Sequence, residues 1–150
     1  MSERIREAKR ADLPALITLY NELSLDEPRE DAAAVDRYEA AFSEIESLTG
    51  YHVLVAEDDA RLVGSVTVIV APNLTYQGTP FALIENVVVT EGARGKGVGA
   101  LIMNAAIDIA REAGCYKVTL TSNKRRTDAH RFYERIGFDE RKEGFQLRLK

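Results

Sequence analysis

The sequence contains no apolar run that approaches the roughly 20 residues needed to cross a bilayer. Its first ten residues, MSERIREAKR, are charged and lack the apolar centre of a signal peptide. We therefore expect a cytoplasmic protein with no membrane partner. No internal repeat, low-complexity tract or linker interrupts the chain, and its length suits one domain over residues 1–150.

Cysteine and histidine are scarce. Cys115 is the single cysteine, so an internal disulfide is excluded, and its position between a helix and a strand suits small apolar packing. His52 and His130 are the two histidines, and no set of histidines and cysteines has the spacing of metal ligands. We expect no bound metal and no disulfide framework.

A long basic face is also missing, and with a pI near 5.3 the composition gives little support for a nucleic-acid partner. The charge is nevertheless uneven. Residues 1–60 carry 15 acidic and 6 basic residues, whereas residues 61–150 carry 9 acidic and 14 basic residues. Such a split is typical of a solvated surface or of an anionic ligand bound by the later segment. Both interpretations stay open.

Hydrophobic periodicity predicts an α/β protein. A short strand over residues 4–9 precedes a helix that begins near Asp12 and Pro14, and a second helix runs from about residue 32 to 48. Strand patterns then predict a hairpin over residues 51–71 and an apolar central strand over 81–90. The pattern further predicts a helix from about 98 to 114, a strand over 116–121, a helix over 127–137 and a final strand over 144–150.

The stretch EGARGKGVGALI, residues 91–102, places four glycines within eight positions and then continues as an apolar helix. A glycine-dense turn before a helix suits close backbone contact with an anion. A P-loop is excluded, because Thr90 and Gly97 occupy the positions that its first glycine and its hydroxyl residue require. The run GKGVGA does fit a dinucleotide-binding turn. That alternative is weakened because the next strand lacks a ribose-binding acid.

A third interpretation includes the arginine. The run RGKGVG, Arg94 to Gly99, follows IENVVV and precedes AHRFYERIGF at residues 129–138. Together these motifs resemble the GNAT superfamily of acetyl-CoA-dependent N-acetyltransferases, and the similarity covers most of the chain. The resemblance implies the α/β GNAT fold: a mixed, mostly antiparallel central sheet that is splayed between its fourth and fifth strands and flanked by helices.

The resemblance also implies acetyl-CoA as cosubstrate and no metal. The backbone amides of the glycine turn would hold the pyrophosphate, the strand before it would lie beside the pantetheine arm, and Asn123 would contact that arm. Plain turn geometry and core packing are the alternatives for these positions. The residues assigned to the cofactor are Val87, Val88, Val89, Arg94, Gly95, Lys96, Gly97, Val98, Gly99, Ala100 and Asn123.

Acetyl transfer to an amine requires a base for the amine and an acid for the departing thiolate. Glu85, on the central strand, is the candidate base, and a strand-end charge is its alternative role. Tyr133 resembles the family's helix tyrosine and is the candidate acid. Its alternative role is packing between the helix and the sheet. A backbone N–H near Val88 would stabilise the oxyanion by analogy with the family.

In the expected reaction, the primary amine of a small molecule directly attacks the thioester of acetyl-CoA in a ternary complex. A protein or peptide amine and a non-catalytic CoA-binding regulatory module are the alternatives. The motifs IENVVV, RGKGVG and GCYKVTL are similar to those of glucosamine-phosphate acetyltransferases. The later motif TSNKRRTDAHRFY is closer to aminoalkylphosphonate and small-amine acetyltransferases. No acceptor is chosen. Dimerisation is common in the family, so a homodimer is left open.

Overall fold

The computed structural model describes residues 3–24, 26 and 29–150. Its contacts group the chain into two compact units, Met1–Thr119 and Leu120–Lys150. One domain over the whole chain stays a prediction. The elements are β1 (Glu3–Glu7), α1 (Leu13–Tyr20), α2 (Val35–Glu46), β2 (Tyr51–Asp58), β3 (Arg61–Ala71), α3 (Thr75–Gly78), β4 (Phe81–Val89), α4 (Val98–Glu112), β5 (Val118–Leu120) and α5 (Thr127–Ile136).

Short 3₁₀ turns occur at Arg10–Asp12, Asn21–Leu23, Ala32–Ala34 and Glu91–Ala93. The first of them leads into α1, which has a proline in its first turn, where a missing N–H costs nothing. Apolar residues at helical spacing make both α1 and α4 amphipathic, as the sequence predicts. In α4 the buried stripe consists of Val98, Ile102, Met103, Ala106 and Ala110.

The sheet has the strand order β1-β2-β3-β4-β5. The first four strands are antiparallel neighbours, and residues Val55, Ser65 and Val88 lie side by side across β2, β3 and β4. The fifth strand runs parallel to the fourth. Backbone bonds join the start of β4 to the segment before β5, from Tyr116 N–H to Pro80 O and from Ala82 N–H to Lys117 O, both at 3.0 Å. The predicted mixed sheet is confirmed.

The two faces of the sheet are covered by different helices of the larger unit. Val53 and Val55 of β2 form one core with Leu13 and Leu16 of α1 and Phe42 of α2. Alternate residues of a strand point to opposite faces, so Leu54 and Ala56 lie on the other face. Helix α4 packs on that face. Ala56 pairs with Gly64 of β3, and Gly64 lies against Val98 and Ile102 of α4.

A partly buried ion-pair cluster ties β1 to the start of α1 and to β2. The Arg6 guanidinium donates to Asp12 at 2.7 and 2.9 Å and to Glu57 at 2.8 Å. Asp12 also accepts the Lys9 N–H at 2.7 Å. The hydrogen bonds from Arg6 hold the pKa of the Asp12 carboxyl below its usual range. The cluster fixes where the first helix begins.

Two predicted strands differ from the observed structure. β5 spans only Val118–Leu120, shorter than the expected 116–121. The strand predicted over residues 144–150 is wrong, because residues 139–150, all of them described, form neither helix nor strand. Phe145, Leu147 and Leu149 alternate as a strand would, but each is at least 84% exposed. Alternation alone does not make a strand, since a strand also needs a neighbour for its backbone bonds.

No helix in the described ranges (3–24, 26 and 29–150) is long and apolar enough to cross a membrane.

Gly64 allows β3 and α4 to approach closely. A Cβ at this position would lie 2.6 Å from Ile102 Cδ1, 3.0 Å from the Val88 carbonyl oxygen and 3.5 Å from Val98 Cγ1. The end of the isoleucine side chain can move, whereas the carbonyl is part of the sheet. The layer between β3 and α4 therefore has no room for a side chain at residue 64.

We expect Gly64→Ala to lower the free energy of unfolding by about 1–3 kcal/mol, because the added methyl overpacks this layer. Chemical denaturation checks this. Gly92→Ala is the matched control, since its Cβ would meet nothing within 4 Å, and it should change stability by less than about 0.5 kcal/mol. Equal stability of the two variants would contradict the close packing.

Candidate active site

A β-bulge interrupts β4 in its middle. Thr67 of β3 pairs with Glu85 and Ser65 pairs with Val88, so the one residue between them in β3 faces two residues in β4. One of the two, Asn86, has a left-handed φ of 54°, a conformation that asparagine tolerates better than most residues. A bulge leaves a backbone group outside the ladder and turns the strand. The backbone beside Val88 is therefore irregular.

The bulge places Glu85 at the surface. Glu85 and Asn86 are exposed, whereas their neighbours Ile84 and Val88 are buried. Glu85 lies in register with Thr67, and Thr67 with Val53, so Glu85 is on the sheet face that packs against α1 and α2. Burial raises the pKa of the nearby Tyr51 phenol, and the negative charge of Glu85 adds to this rise. An exposed carboxylate thus stands at the edge of that face, close to a tyrosine.

The glycine turn between β4 and α4 has a left-handed backbone at two positions. Gly95 has a φ of 77° and Gly97 a φ of 86°, a region that residues with a Cβ rarely enter. A Cβ at either position would meet no heavy atom within 4 Å beyond its chain neighbours. The space above these two glycines is therefore open among the described residues.

Backbone N–H groups collect at this turn. Within the described residues, no acceptor is found for the N–H groups of residues 95–97. The first amides of α4 lack partners inside the helix by geometry, and the 15-residue helix adds the positive end of its dipole. Gly97 caps the helix without a side-chain bond. The residues present therefore fit an anion such as a pyrophosphate, and the open space leaves room for it.

The Arg94 side chain turns back toward the preceding strand. Its Nε donates to the Val89 carbonyl at 2.9 Å, and its guanidinium lies 3.6 Å from the Glu22 carboxylate. Lys96 is exposed and borders a cavity of about 210 Å³ that is also lined by Asp58 and Arg61 of the β2–β3 hairpin. The turn thus offers backbone donors on one side and a lysine on the other.

In the smaller unit, Tyr133 lies on α5 and is half-buried. Its ring contacts those of Phe132 and Phe138, with centroids 5.4 and 6.2 Å away. Burial raises the pKa of the Tyr133 phenol above its ordinary value, and the Arg126 charge offsets part of this rise. The phenol is therefore protonated at neutral pH. Its proposed role as an acid stays a prediction.

The loop before α5 is organised by Asn123. The Asn123 side-chain oxygen accepts the Arg125 N–H at 2.9 Å, and its backbone oxygen accepts the Arg126 N–H at 2.9 Å. His130 Nε2 lies 3.0 Å from the same backbone oxygen. His130 thus contacts the backbone of this loop. The predicted cofactor contact of Asn123 stays a prediction.

Two features of the site were not found from the sequence. One is the left-handed conformation of Asn86, although Glu85 and Asn86 do visibly interrupt an apolar strand. The other is Glu22, which is bound to the glycine turn from 68 residues away. No local pattern indicates such a contact. Among the residues that are described, no group of three histidine, cysteine, aspartate or glutamate side chains could hold a metal ion.

The chain matches the Acetyltransferase (GNAT) family over residues 16–138, and it belongs to this family. It is therefore an acyltransferase enzyme. The match sets aside the dinucleotide-binding alternative and the non-catalytic module.

Similar proteins span nearly the whole chain. Glucosamine 6-phosphate N-acetyltransferase 1 of Oryza sativa subsp. japonica is 34% identical over 142 residues, 92% of this chain and 82% of the relative. The crystal structure of a transcriptional regulator from Bacillus halodurans C-125 is 36% identical, with a TM-score of 0.91 over 99% of this chain and 100% of that one. A putative acetyltransferase from Agrobacterium tumefaciens str. C58 is also 36% identical, with a TM-score of 0.88 over 97% and 99% of the two chains.

We expect Gly97→Ala to weaken CoA binding about tenfold or more, because alanine disfavours a left-handed φ and its Cβ enters the space above the amides. Isothermal titration calorimetry with CoA measures this. Gly92→Ala, in the same segment but without a left-handed φ, should bind CoA as the wild type does. Unchanged binding by Gly97→Ala would count against the turn as the anion site.

Proposed function

We propose that this enzyme transfers the acetyl group of acetyl-CoA to the primary amine of a small molecule, by direct attack in a ternary complex. The observation that carries the proposal is the turn between β4 and α4, with two left-handed glycines beneath open space and a row of backbone N–H groups without internal acceptors. Bound acetyl-CoA supplies an activated acetyl thioester. The chain's own residues must bind, orient and exchange protons with the reactants.

Binding rests on the backbone of residues 94–100. The Arg94 N–H donates to the Glu91 carbonyl at 3.3 Å, so the N–H groups of residues 95–100 and the dipole of α4 would hold the pyrophosphate, while Gly95 and Gly97 keep side chains away from it. The backbone of Val87–Val89 would lie beside the pantetheine arm. The bulge supports this assignment, because it interrupts regular pairing in β4 at Asn86 and Val87, where this segment begins. Asn123 is proposed to contact the arm from the loop before α5.

The proposed base is Glu85. An alkylammonium has a pKa near 10 and must lose a proton before it can attack. The Glu85 carboxylate is exposed on the face of the sheet that packs against α1 and α2, where an acceptor can approach, and it can accept the proton directly or through a water. A backbone N–H near Val88 would stabilise the negative charge that develops on the thioester oxygen.

The proposed acid is Tyr133. Its raised pKa keeps the hydroxyl protonated well above neutral pH, which suits a donor to a departing thiolate. The aromatic neighbours Phe132 and Phe138 contact the ring, and all three residues lie within the part of the chain, 16–138, that matches the family. Tyr133 would therefore give its proton to the sulfur as the carbon–sulfur bond breaks.

The acceptor is proposed as a small-molecule amine. The rice relative acetylates glucosamine 6-phosphate, as its name states, so amino sugars and their phosphates are the first compounds to test. A phosphate-bearing acceptor would need cations other than Arg6 and Arg10, which are paired with Asp12, Glu57 and Glu46. A protein or peptide amine remains the second candidate. The cytoplasmic location and the homodimer are predictions as well.

A thiol-release assay tests the function. Acetyl-CoA is incubated with the enzyme and a panel of amino sugars, amino sugar phosphates, small amines, amino acids and peptides, and free CoA is measured. We expect turnover with at least one small-molecule amine, and tight binding of CoA but not of NAD in a parallel titration. Turnover with peptides alone would move the substrate class, and absence of CoA binding would end the proposal.

For Tyr133→Phe we expect a kcat at least about tenfold lower at saturating acetyl-CoA, with a KM for acetyl-CoA within about twofold of wild type. Phenylalanine keeps the ring packing and removes the proton. Because the Tyr133 pKa is raised, wild-type activity that depends on this proton should persist until the pH exceeds about 10. Phe132→Leu is the packing control. If wild type and Tyr133→Phe have equal pH–rate profiles, Tyr133 is not the acid that protonates the thiolate.

For Glu85→Gln we expect a kcat about 100-fold lower at neutral pH, since the amide cannot accept the amine's proton. Raising the pH toward the pKa of the amine should restore part of the rate, because the amine then loses its proton to solvent. Glu112→Gln, which also removes one negative charge at an exposed position, is the control for altered charge and should leave kcat unchanged. A kcat equal to that of wild type would assign the base to another residue or to water.

A further inference from the structure

The carboxylate of Glu22 is bound to the beginning of the glycine turn. One oxygen accepts the Thr90 hydroxyl at 2.8 Å, and the other accepts the backbone N–H of Glu91 at 3.1 Å. The second oxygen also lies 3.6 Å from the Arg94 guanidinium. Glu22 belongs to the 3₁₀ turn Asn21–Leu23 after α1. A single side chain thus joins the end of the first helix to three residues of the cofactor turn.

Arg94 completes this network on its other side. Its Nε donates to the Val89 carbonyl, the last residue of β4, at 2.9 Å. The guanidinium therefore bridges β4 and Glu22 across the residues 90–93 that lie between them. These contacts fix the direction in which the chain leaves β4. That direction determines where residues 95–100 present their N–H groups.

Electrostatics makes the position of Glu22 informative. A carboxylate near a site for a polyanion disfavours binding through charge repulsion, and removal of its charge should then tighten binding. The side chain is 30% exposed, so solvent screens this repulsion only in part. Its hydrogen bonds act in the opposite sense if they hold the turn in its binding conformation. The two effects therefore predict opposite changes in CoA affinity when Glu22 is neutralised.

We propose that Glu22 is a positioning residue for cofactor binding. Its carboxylate holds Thr90, Glu91 and Arg94 so that the turn is preorganised for the pyrophosphate before CoA arrives. Arg94 acts in this network as a strut between Val89 and Glu22 rather than as a direct phosphate ligand. The proposal rests on the proposed function, since it concerns the same cofactor site.

Glu22→Gln tests the proposal. Glutamine keeps the length of the side chain and one acceptor oxygen, but its neutral amide lacks the negative charge that strengthens both hydrogen bonds and faces the Arg94 guanidinium. We expect the Kd of CoA, measured by calorimetry on the whole chain, to rise about fivefold. The KM for acetyl-CoA should rise by the same factor, with kcat within about twofold of wild type. A purely structural defect would lower the active fraction and kcat but leave the Kd of folded molecules unchanged.

Matched variants separate the contact from the charge. Glu112→Gln also removes one negative charge, but at the far end of α4, about 20 Å from the turn, and should leave the Kd of CoA unchanged. Thr90→Val removes the hydroxyl that Glu22 accepts and should raise the Kd in the same direction as Glu22→Gln. If Glu22→Gln does not fold, Thr90→Val decides by the same criterion.

A double variant tests the strut. Glu22→Gln combined with Arg94→Gln should raise the Kd of CoA by less than the product of the two single-variant factors, because both changes weaken one network. A lower or unchanged Kd in Glu22→Gln would overturn the proposal, and full additivity in the double variant would overturn the strut. If the wild type does not bind CoA, the proposed function itself is wrong. If the wild type binds CoA with the same Kd as Glu22→Gln, only the role of Glu22 is wrong.

Discussion

The site depends on backbone groups that regular structure leaves unpaired. Strand β4 is interrupted at Asn86 by a bulge and ends in a turn whose left-handed glycines leave the N–H groups of residues 95–97 without acceptors among the described residues. Unpaired backbone groups are costly when buried. Here they lie at an exposed turn before a 15-residue helix, where an anion can pair with them. The proposed cofactor site thus relies on the main chain rather than on particular side chains.

Sequence patterns predict most of the elements because burial leaves a periodic stripe on a helix and an apolar run in a strand that is covered on both faces. The stripe of α4 and the apolar runs of β2 and β3 are strong signals, and the glycines at 95 and 97 mark the turn directly. The final strand over residues 144–150 was wrong, since alternation does not reveal whether a pairing partner exists. The bulge at Asn86 and the contact of Glu22 with Thr90 were missed, because both depend on which segments meet in three dimensions.

The uneven charge of the sequence has a partly structural origin. Several acids of the first sixty residues neutralise bases of the same segment, as Asp12 and Glu57 do for Arg6. Glu22 instead crosses to the basic second part of the chain and meets Arg94. Internal pairing thus involves part of the acidic excess, and one acid of the first segment contacts the proposed anion site.

Gly64 connects core packing to the cofactor turn. The missing side chain lets β3 approach both Val98, the first residue of α4, and Ile102 one turn later. The distance between the first turn of α4 and the sheet is therefore determined by Gly64, a residue that no ligand would contact. A substitution at this buried position would change the tilt of the backbone amides above it. The affinity for an anion can therefore change although every residue that faces the ligand stays the same.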